Sequence, residues 1–223
     1  MNKHLIIVAG GSGQRMGSTV PKQFLLLAGQ PILAHTLQAF FDYDPQMNTV
    51  VVLPQEHLST WQNLVQKYSI APPHSLAAGG STRTQSVAHA LQTLGGTGVV
   101  AIHDAVRPLV SRATIEQCFA QALIAGACIP IRPITDALRR IKGQENTAQN
   151  KEDFFTVQTP QVFDLQKIKR AYSQIGNTPY ADDAAVMENA GYPISTVMGN
   201  AENIKITTPF DLKWAEILWA LQS

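Results

Sequence analysis

At 223 residues, 45% of them hydrophobic, the chain can bury one sizeable core without needing a second domain. Seventeen basic against sixteen acidic side chains leave a formal charge of +1, so bulk charge offers no case for a nucleic-acid or membrane partner, and any functional cation must act through its position. Cys118 and Cys128 are too few for a disulfide scaffold, match no metal spacing and lie in apolar helix or strand sequence, where they read as buried thiols.

The chain opens on MNKHLIIVAGG, whose apolar run is too short for a signal peptide, and no later stretch reaches the length of a membrane span. A cytoplasmic location is therefore expected. LIIVA at 5–9 reads as a buried strand that enters GGSGQRMG, followed by VPKQF. A glycine-rich loop between a strand and a helix lets backbone amides approach a phosphate, and Arg15 and Lys22 add two fixed cations. The bland alternative is a flexible turn built on Gly10, Gly11, Gly13 and Gly17. The loop is not a Walker A loop, because Gly17 is followed by Ser18 and Thr19. Nor is it a dinucleotide fingerprint: Met16 breaks the glycine spacing, and the next strand, TVVVL at 49–53, ends Leu53-Pro54 without an acidic residue to hold a ribose. A dehydrogenase is disfavoured.

GVVAIH at 98–103 and ACIPI at 127–131 complete a set of short β-branched runs typical of a buried parallel sheet. Helical spacing occupies 31–42, 56–68, 82–94 and 112–125, with Pro31 in a first turn and Ser81 and Ser111 as N-caps. Further helices are predicted over 164–175, 182–190 and 209–221, the last opened by Thr208 as cap and Pro209 at the first helical position. This alternation predicts an α/β fold of three layers, Rossmann-like, with a mostly parallel central sheet, as a single domain over residues 1–223. The rhythm breaks over 132–158, where RPITDALRRIKGQENTAQNKEDFFTV places a polar middle between more apolar arms. It predicts a protruding β-hairpin arm turned at Gly143-Gln144-Glu145-Asn146. Such an arm either grips a second subunit, making a homodimer, or remains a surface loop.

Three further groups carry chemistry. AAGGSTRTQSV sets Gly79 and Gly80 before a helix that holds Arg83 and Ser86, a turn suited to a base or a phosphate, though glycine before a capped helix is also ordinary turn chemistry. GVVAIHDAVRP places His103, Asp104 and Arg107 beyond the carboxyl end of a buried strand, where open α/β sheets bind ligands. His103 pairs with no nucleophile in the sequence and reads as structural. Asp104 suits a divalent ion or sugar hydroxyls, while a local ion pair with Arg107 is the plain alternative. In GNAENIKITTPFDL, a strand would turn Lys205 away from the apolar face of Ile204 and Ile206; a solvated edge lysine is the alternative.

VAGGSGQRMG with PKQF, GGSTRTQSV, HDAVRP, VQTPQVF, the YADDAAVME segment and NIKITTPFDL, taken in that order, resemble the 2-C-methyl-D-erythritol 4-phosphate cytidylyltransferase family of the non-mevalonate isoprenoid pathway, nearly end to end. The resemblance implies that the phosphate of a sugar-alcohol phosphate attacks the α-phosphorus of CTP, giving a CDP-alcohol and pyrophosphate. A phosphate monoester has a second pKa near ~6, so the attacking oxygen needs no general base. What the reaction demands is in-line positioning of two anions and neutralisation of charge.

By the family's pattern, Arg15 and Lys22 would stabilise the transition state, with Mg²⁺ bridging the triphosphate and the glycine loop, Gly13 included, cradling it. Ala9, Gly10, Gly11, Gly80 and Ser86 match positions around the cytidine and its phosphates, and Arg83 joins them as a substrate-binding residue. Asp104 and Arg107 match positions that contact acceptor hydroxyls or the reacting phosphates, Asp104 being the possible metal ligand, and Lys205 would place the acceptor phosphate. The family's arm reaches across a dimer, where a cation at the position of Lys151 contacts the acceptor phosphate of the neighbouring site. Arginine is usual there, and a lysine keeps the charge but loses the bidentate fork. Threonines of the acceptor pocket are replaced by Ala137 and Ala181, which removes two hydroxyl donors. The alternatives are a ribitol-5-phosphate cytidylyltransferase, which shares the CTP site, and a non-catalytic nucleotide-binding module.

Overall fold

The computed structural model of the chain describes residues 1–11, 20–176, 178 and 180–221. Its strands are β1 (Lys3–Val8), β2 (Leu26–Leu27), β3 (Gln30–Pro31), β4 (Asn48–Leu53), β5 (Ser75–Ala78), β6 (Val99–Asp104), β7 (Ala127–Pro133), β8 (Leu138–Lys142), β9 (Glu145–Gln149), β10 (Phe155–Val157), β11 (Gln161–Asp164) and β12 (Ser195–Met198). The helices are α1 (Ile32–Tyr43), α2 (Leu58–Lys67), α3 (Arg83–Thr93), α4 (Arg112–Ala125), α5 (Leu165–Gln174), α6 (Asp183–Asn189) and α7 (Pro209–Ala220). The central sheet runs β10-β7-β11-β6-β1-β4-β5, with β12 on the other edge of β7. Pairs β1/β4, β1/β6, β4/β5 and β7/β12 are parallel, whereas β11 is antiparallel to both β6 and β7.

The predicted runs form strands because both of their faces are covered. Along β1, Leu5 and Ile7 pack into the layer of α1, α2 and α4, with Phe40, Trp61 and Phe119, while Ile6 between them faces the layer of α3, α5 and α6. Val99 and Ala101 alternate with Val100 and Ile102 along β6 in the same way. A period of two with apolar residues at every position is what a sheet sandwiched between helices requires. The three-layer, mostly parallel architecture is as the sequence predicts. Cys118 on α4 and Cys128 on β7 are both buried and free, and the hydrogen bond between them, helped by burial, pushes the Cys118 thiol up.

Four local expectations are corrected. Thr82, not Ser81, caps α3, its side chain accepting from the Gln85 amide; Ser81 donates its amide and hydroxyl to the Gln85 side chain instead. Pro31 stands at the N-cap of α1 rather than inside its first turn, held there by pairing with Leu26. Lys205 is not in a strand: the segment is extended but unpaired, pinned by the Ile206 amide donating to Val106 O at 2.9 Å. The arm of 132–158 is a hairpin of β8 and β9, but Glu145 and Asn146 already pair with Lys142 and Ile141, so the turn shrinks to Gly143-Gln144. Gly143 takes a positive φ of 59°, the left-handed conformation that a two-residue hairpin turn asks of it. Thr208 and Pro209 do open α7, with Asp211 closing a reciprocal capping box.

Candidate active site

The carboxyl ends of β1 and β6, the start of α3 and the 3-10 turn Lys22–Phe24 surround a cleft of about 190 Å³. Ala9, Gly10, Gly11, Lys22, Gly80, Arg83, Ser86, Asp104 and Lys205 all line it, so residues spread over almost two hundred positions converge on one place. Arg107 touches the cleft through Asp104. Arg15 and Gly13 lie outside the described residues. Lys151 sits in a 3-10 turn at the base of the hairpin, its ammonium donating to Thr135 O at 2.8 Å, and does not line this cleft. A larger groove of about 770 Å³, between α2 and the segment leading to β5, has Trp61 and His74 in its wall and no charged lining residue. It has nothing with which to hold a polyphosphate.

The turn that carries Lys22 is anchored by its neighbours. Gln23 is buried and donates its side-chain amide to Ala9 O at 2.9 Å, and Phe24 stacks on the buried Trp61 ring, 5.8 Å between centroids. Lys22 thus projects from a fixed base across the end of β1. A Cβ built on Gly11 would stand 3.0 Å from Lys22 Cε and 3.4 Å from its Nζ, so the glycine makes room for the ammonium. On the opposite wall, the Ser86 hydroxyl accepts from the Gly80 amide at 3.0 Å and donates to Thr82 O at 2.9 Å, fixing the glycine turn before α3. Gly80 is crowded against Gln85, where a Cβ would meet Gln85 Cβ at 2.4 Å. The turn therefore admits no larger residue, and backbone rather than side chain faces the cleft there.

Asp104 gathers the cations. Its Oδ2 lies 3.0 Å from Lys205 Nζ and 3.1 Å from Arg107 Nε, and its Oδ1 lies 4.0 Å from Arg83 Nε. Burial opposes ionisation of this carboxyl, but Lys205, Arg107 and Arg83 outweigh it and hold the group well below the usual carboxylate range. Arg107 also donates to Asn203 O at 2.8 Å, tying the segment before Lys205 to the end of β6. The local ion pair of Asp104 with Arg107 is thus part of one cluster with Lys205 and Arg83.

His103 has the structural role expected of it. Thr159 Oγ1 accepts from the Asp104 amide at 3.1 Å, so its own hydrogen goes to His103 Nδ1 at 3.0 Å, and His103 Nε2 donates to Arg107 O at 3.1 Å. The neutral ring is a staple across the turn that displays Asp104 and Arg107. Burial pushes its pKa down to about 4 from 6.5. Between those values the unfolded chain binds the extra proton, so this stabilisation is complete above pH 6.5 and is lost as the pH falls towards 4. The loss amounts to about 3 kcal/mol at ~1.4 kcal/mol per unit. Urea unfolding of His103→Gln between about pH 6.5 and about pH 4.5 is expected to show a shallower decline than the parent. His4, His35 and His74, all shifted down by burial, add slope of the same sign.

Two features escape a reading of the sequence: Gln23, which lines the cleft beside Lys22, and Asp183, buried behind it, which takes the Arg83 guanidinium at 3.0 and 2.6 Å. The DD pair at 182–183 is the one available signal for the latter.

The sequence profile of the 2-C-methyl-D-erythritol 4-phosphate cytidylyltransferase family matches residues 3–220. A protein of that name from Phocaeicola vulgatus is 44% identical over 218 residues, covering 98% of this chain and 100% of its own, and one from Bacteroides fragilis is 45% identical with the same coverage. The crystal structure of the Thermus thermophilus protein of that name superposes with a TM-score of 0.78 at 32% identity, covering 98% of each chain. A cleft walled by glycine backbone and ringed by cations, on a fold shared end to end with these relatives, leaves one conclusion: the chain belongs to the 2-C-methyl-D-erythritol 4-phosphate cytidylyltransferase family.

Proposed function

We propose that this cleft transfers a cytidylyl group from CTP to 2-C-methyl-D-erythritol 4-phosphate with release of pyrophosphate, a step of isoprenoid biosynthesis. The observation that carries the reading is the convergence of Lys22, Arg83 and Lys205 with the Ala9–Gly11 and Gly80 backbone in one cleft. The acceptor phosphate is already the nucleophile, so the protein's part is to align two anions and to meet the charge that grows on the α-phosphoryl oxygens and the leaving group. Lys22 meets that task from the nucleotide side, a task the family's pattern also gives to Arg15. Lys205 and Arg107, held on Asp104, present cations to the acceptor, with Ala9, Gly10, Gly11, Gly80 and Ser86 around the nucleotide, where the family's pattern also sets Gly13.

Asp104 is the one carboxylate among the described residues that line the cleft, and two cations already occupy its Oδ2. That donor set would suit a Mg²⁺ held mainly by the ligand's phosphate oxygens and water, with Asp104 as a neighbouring carboxylate rather than its main holder, in keeping with the habit of this ion. When bound, Mg²⁺ supplies further neutralisation of the triphosphate.

The protein works in this reading as a cytoplasmic homodimer, with the β8–β9 arm carrying Lys151 to the partner's acceptor phosphate. No helix among the described residues is long and apolar enough to cross a membrane. The exposed Ile141, Phe154, Phe155 and Val157 on and beside the arm give it an apolar surface to cover. Light scattering is expected to give twice the 24.3 kDa chain mass; a strict monomer removes the trans role of Lys151. The activity itself is tested by incubating the protein with CTP, Mg²⁺ and either methylerythritol phosphate or ribitol phosphate. Pyrophosphate release with the first and little with the second is expected, whereas release with neither would sink the transferase reading.

A further inference from the structure

Arg83 is held by more than its own cleft. Its two terminal nitrogens meet Asp183 in a bidentate pair at 3.0 and 2.6 Å, and Asp183 is fully buried. The carboxylate is fixed in turn. The Tyr172 hydroxyl donates to its Oδ1 at 2.5 Å, and Gln161 Oε1 accepts from the Asp183 and Ala184 amides at 3.0 Å each. Gln161 is buried on β11, and its amide nitrogen donates to Asp182 at 2.8 Å, so the grip is built on the sheet rather than on a loose surface.

The consequence appears at Asp104. Its Oδ2 is taken by Lys205 and Arg107, but among the described residues no donor reaches its Oδ1 within hydrogen-bonding distance, and the guanidinium facing it, Arg83 through Nε, stops at 4.0 Å. A guanidinium and a carboxylate left to themselves close to a fork of about 2.8 Å. Three cations and two carboxylates make up this network, and Arg83 lies in full contact with Asp183 but short of Asp104.

We propose that Asp183 is a positioning residue for the transfer: by gripping both terminal nitrogens of Arg83 it holds the guanidinium short of Asp104 and reserves Oδ1 of Asp104 as hydrogen-bond acceptor for a hydroxyl of the sugar-alcohol phosphate. The assignment of that hydroxyl rests on the function proposed above. With Ala137 and Ala181 lacking hydroxyls, the open oxygen gives this chain a means of recognising a polyol that does not depend on threonines.

In the full-length protein, Asp183→Asn is expected to raise the KM for the alcohol phosphate about tenfold or more, the loss of one charge-assisted hydrogen bond, with the KM for CTP within about threefold of the parent. Because Asp183 acts through Arg83, the double variant Asp183→Asn/Arg83→Met should be no worse than Arg83→Met alone. Tyr172→Phe should shift the acceptor KM the same way by less, and it serves if Asp183→Asn does not fold. A folded Asp183→Asn or Tyr172→Phe protein in which both KM values rise together, or neither moves, overturns the proposal, as does an additive double variant. The crystal structure of Asp183→Asn, or of Tyr172→Phe in its place, gives a readout independent of turnover: Arg83 is expected within hydrogen-bonding distance of Asp104 Oδ1, and an unmoved guanidinium refutes the restraint. If the parent transfers no cytidylyl group to any alcohol phosphate, the functional reading and with it the hydroxyl assignment fall, while that structure still judges the restraint.

Discussion

Lys22→Ala is expected to lower kcat by about two to three orders of magnitude while CTP affinity changes by less than about tenfold. The asymmetry follows from where Lys22 stands. It rises from a turn anchored by Gln23 and by the Phe24–Trp61 stack, and its ammonium lies against the Gly11 backbone at the end of β1. A cation fixed in advance costs no reorganisation when charge moves onto the leaving pyrophosphate, so its effect is greatest in the transition state. Ground-state CTP keeps the glycine backbone and the other cations of the cleft. Pyrophosphate release measured against CTP concentration, with calorimetric CTP binding alongside, separates the two effects. Equal losses in turnover and affinity would assign Lys22 to ground-state binding instead.

Asp104→Asn is expected to cut turnover at least about a hundredfold and to lower the unfolding free energy by about 3–5 kcal/mol, the usual consequence of removing one partner from a buried charge network. Asn keeps the shape but withdraws the anion that Lys205 and Arg107 share and that Arg83 faces alongside Asp183. Arg107 is mostly buried, so its uncompensated charge dominates the stability loss. Lys205, 41% exposed at its side chain, can turn to water and contributes little to that loss. Its displacement registers in the assay instead, since an ammonium released from Asp104 no longer has a fixed place for the acceptor phosphate. Urea unfolding and acceptor KM are the two measurements. A variant as stable as the parent would show that the cations are held by the backbone around them rather than by the carboxylate.

Much of this architecture is written in the chain where one physical demand dominates. β1, β4 and β6 are legible because both faces of each are buried, which leaves a β-branched run with no polar interruption. Caps such as Ser111 and Thr208 are local chemistry and read correctly. The short strands are different. β11 is four residues long, and nothing local says that Gln161–Asp164 will insert antiparallel between β6 and β7. β5 and β12, also four residues each, gain their order from the strands they join. In the cleft, residue types carry individual meaning but their partners do not. Asp104 and Lys205 lie about a hundred positions apart, as do Arg83 and Asp183, and the sequence offers each a nearer neighbour of opposite charge. Alternation fits any extended chain and so places Lys205 on a strand; the segment forms no ladder among the described residues, being pinned instead by single bonds such as Ile206 N–H to Val106 O and Asn203 to Thr159 O.

The place of β11 in the sheet also bears on how the chain acquires its structure during synthesis. β5, β4, β1 and β6 form a parallel set complete by residue 104, and β6 meets the rest of the sheet only through β11. Until residues 161–164 leave the ribosome, one edge of the wholly buried strand Val99–Asp104 has no partner. The half that carries Ala9, Lys22, Gly80 and Arg83 can therefore collapse first, bearing an open apolar edge for the time needed to translate some 57 residues, about 3–11 seconds at ordinary elongation rates. Nascent chains halted in that interval are the ones a holdase chaperone should bind, and chains extended past β11 should escape it.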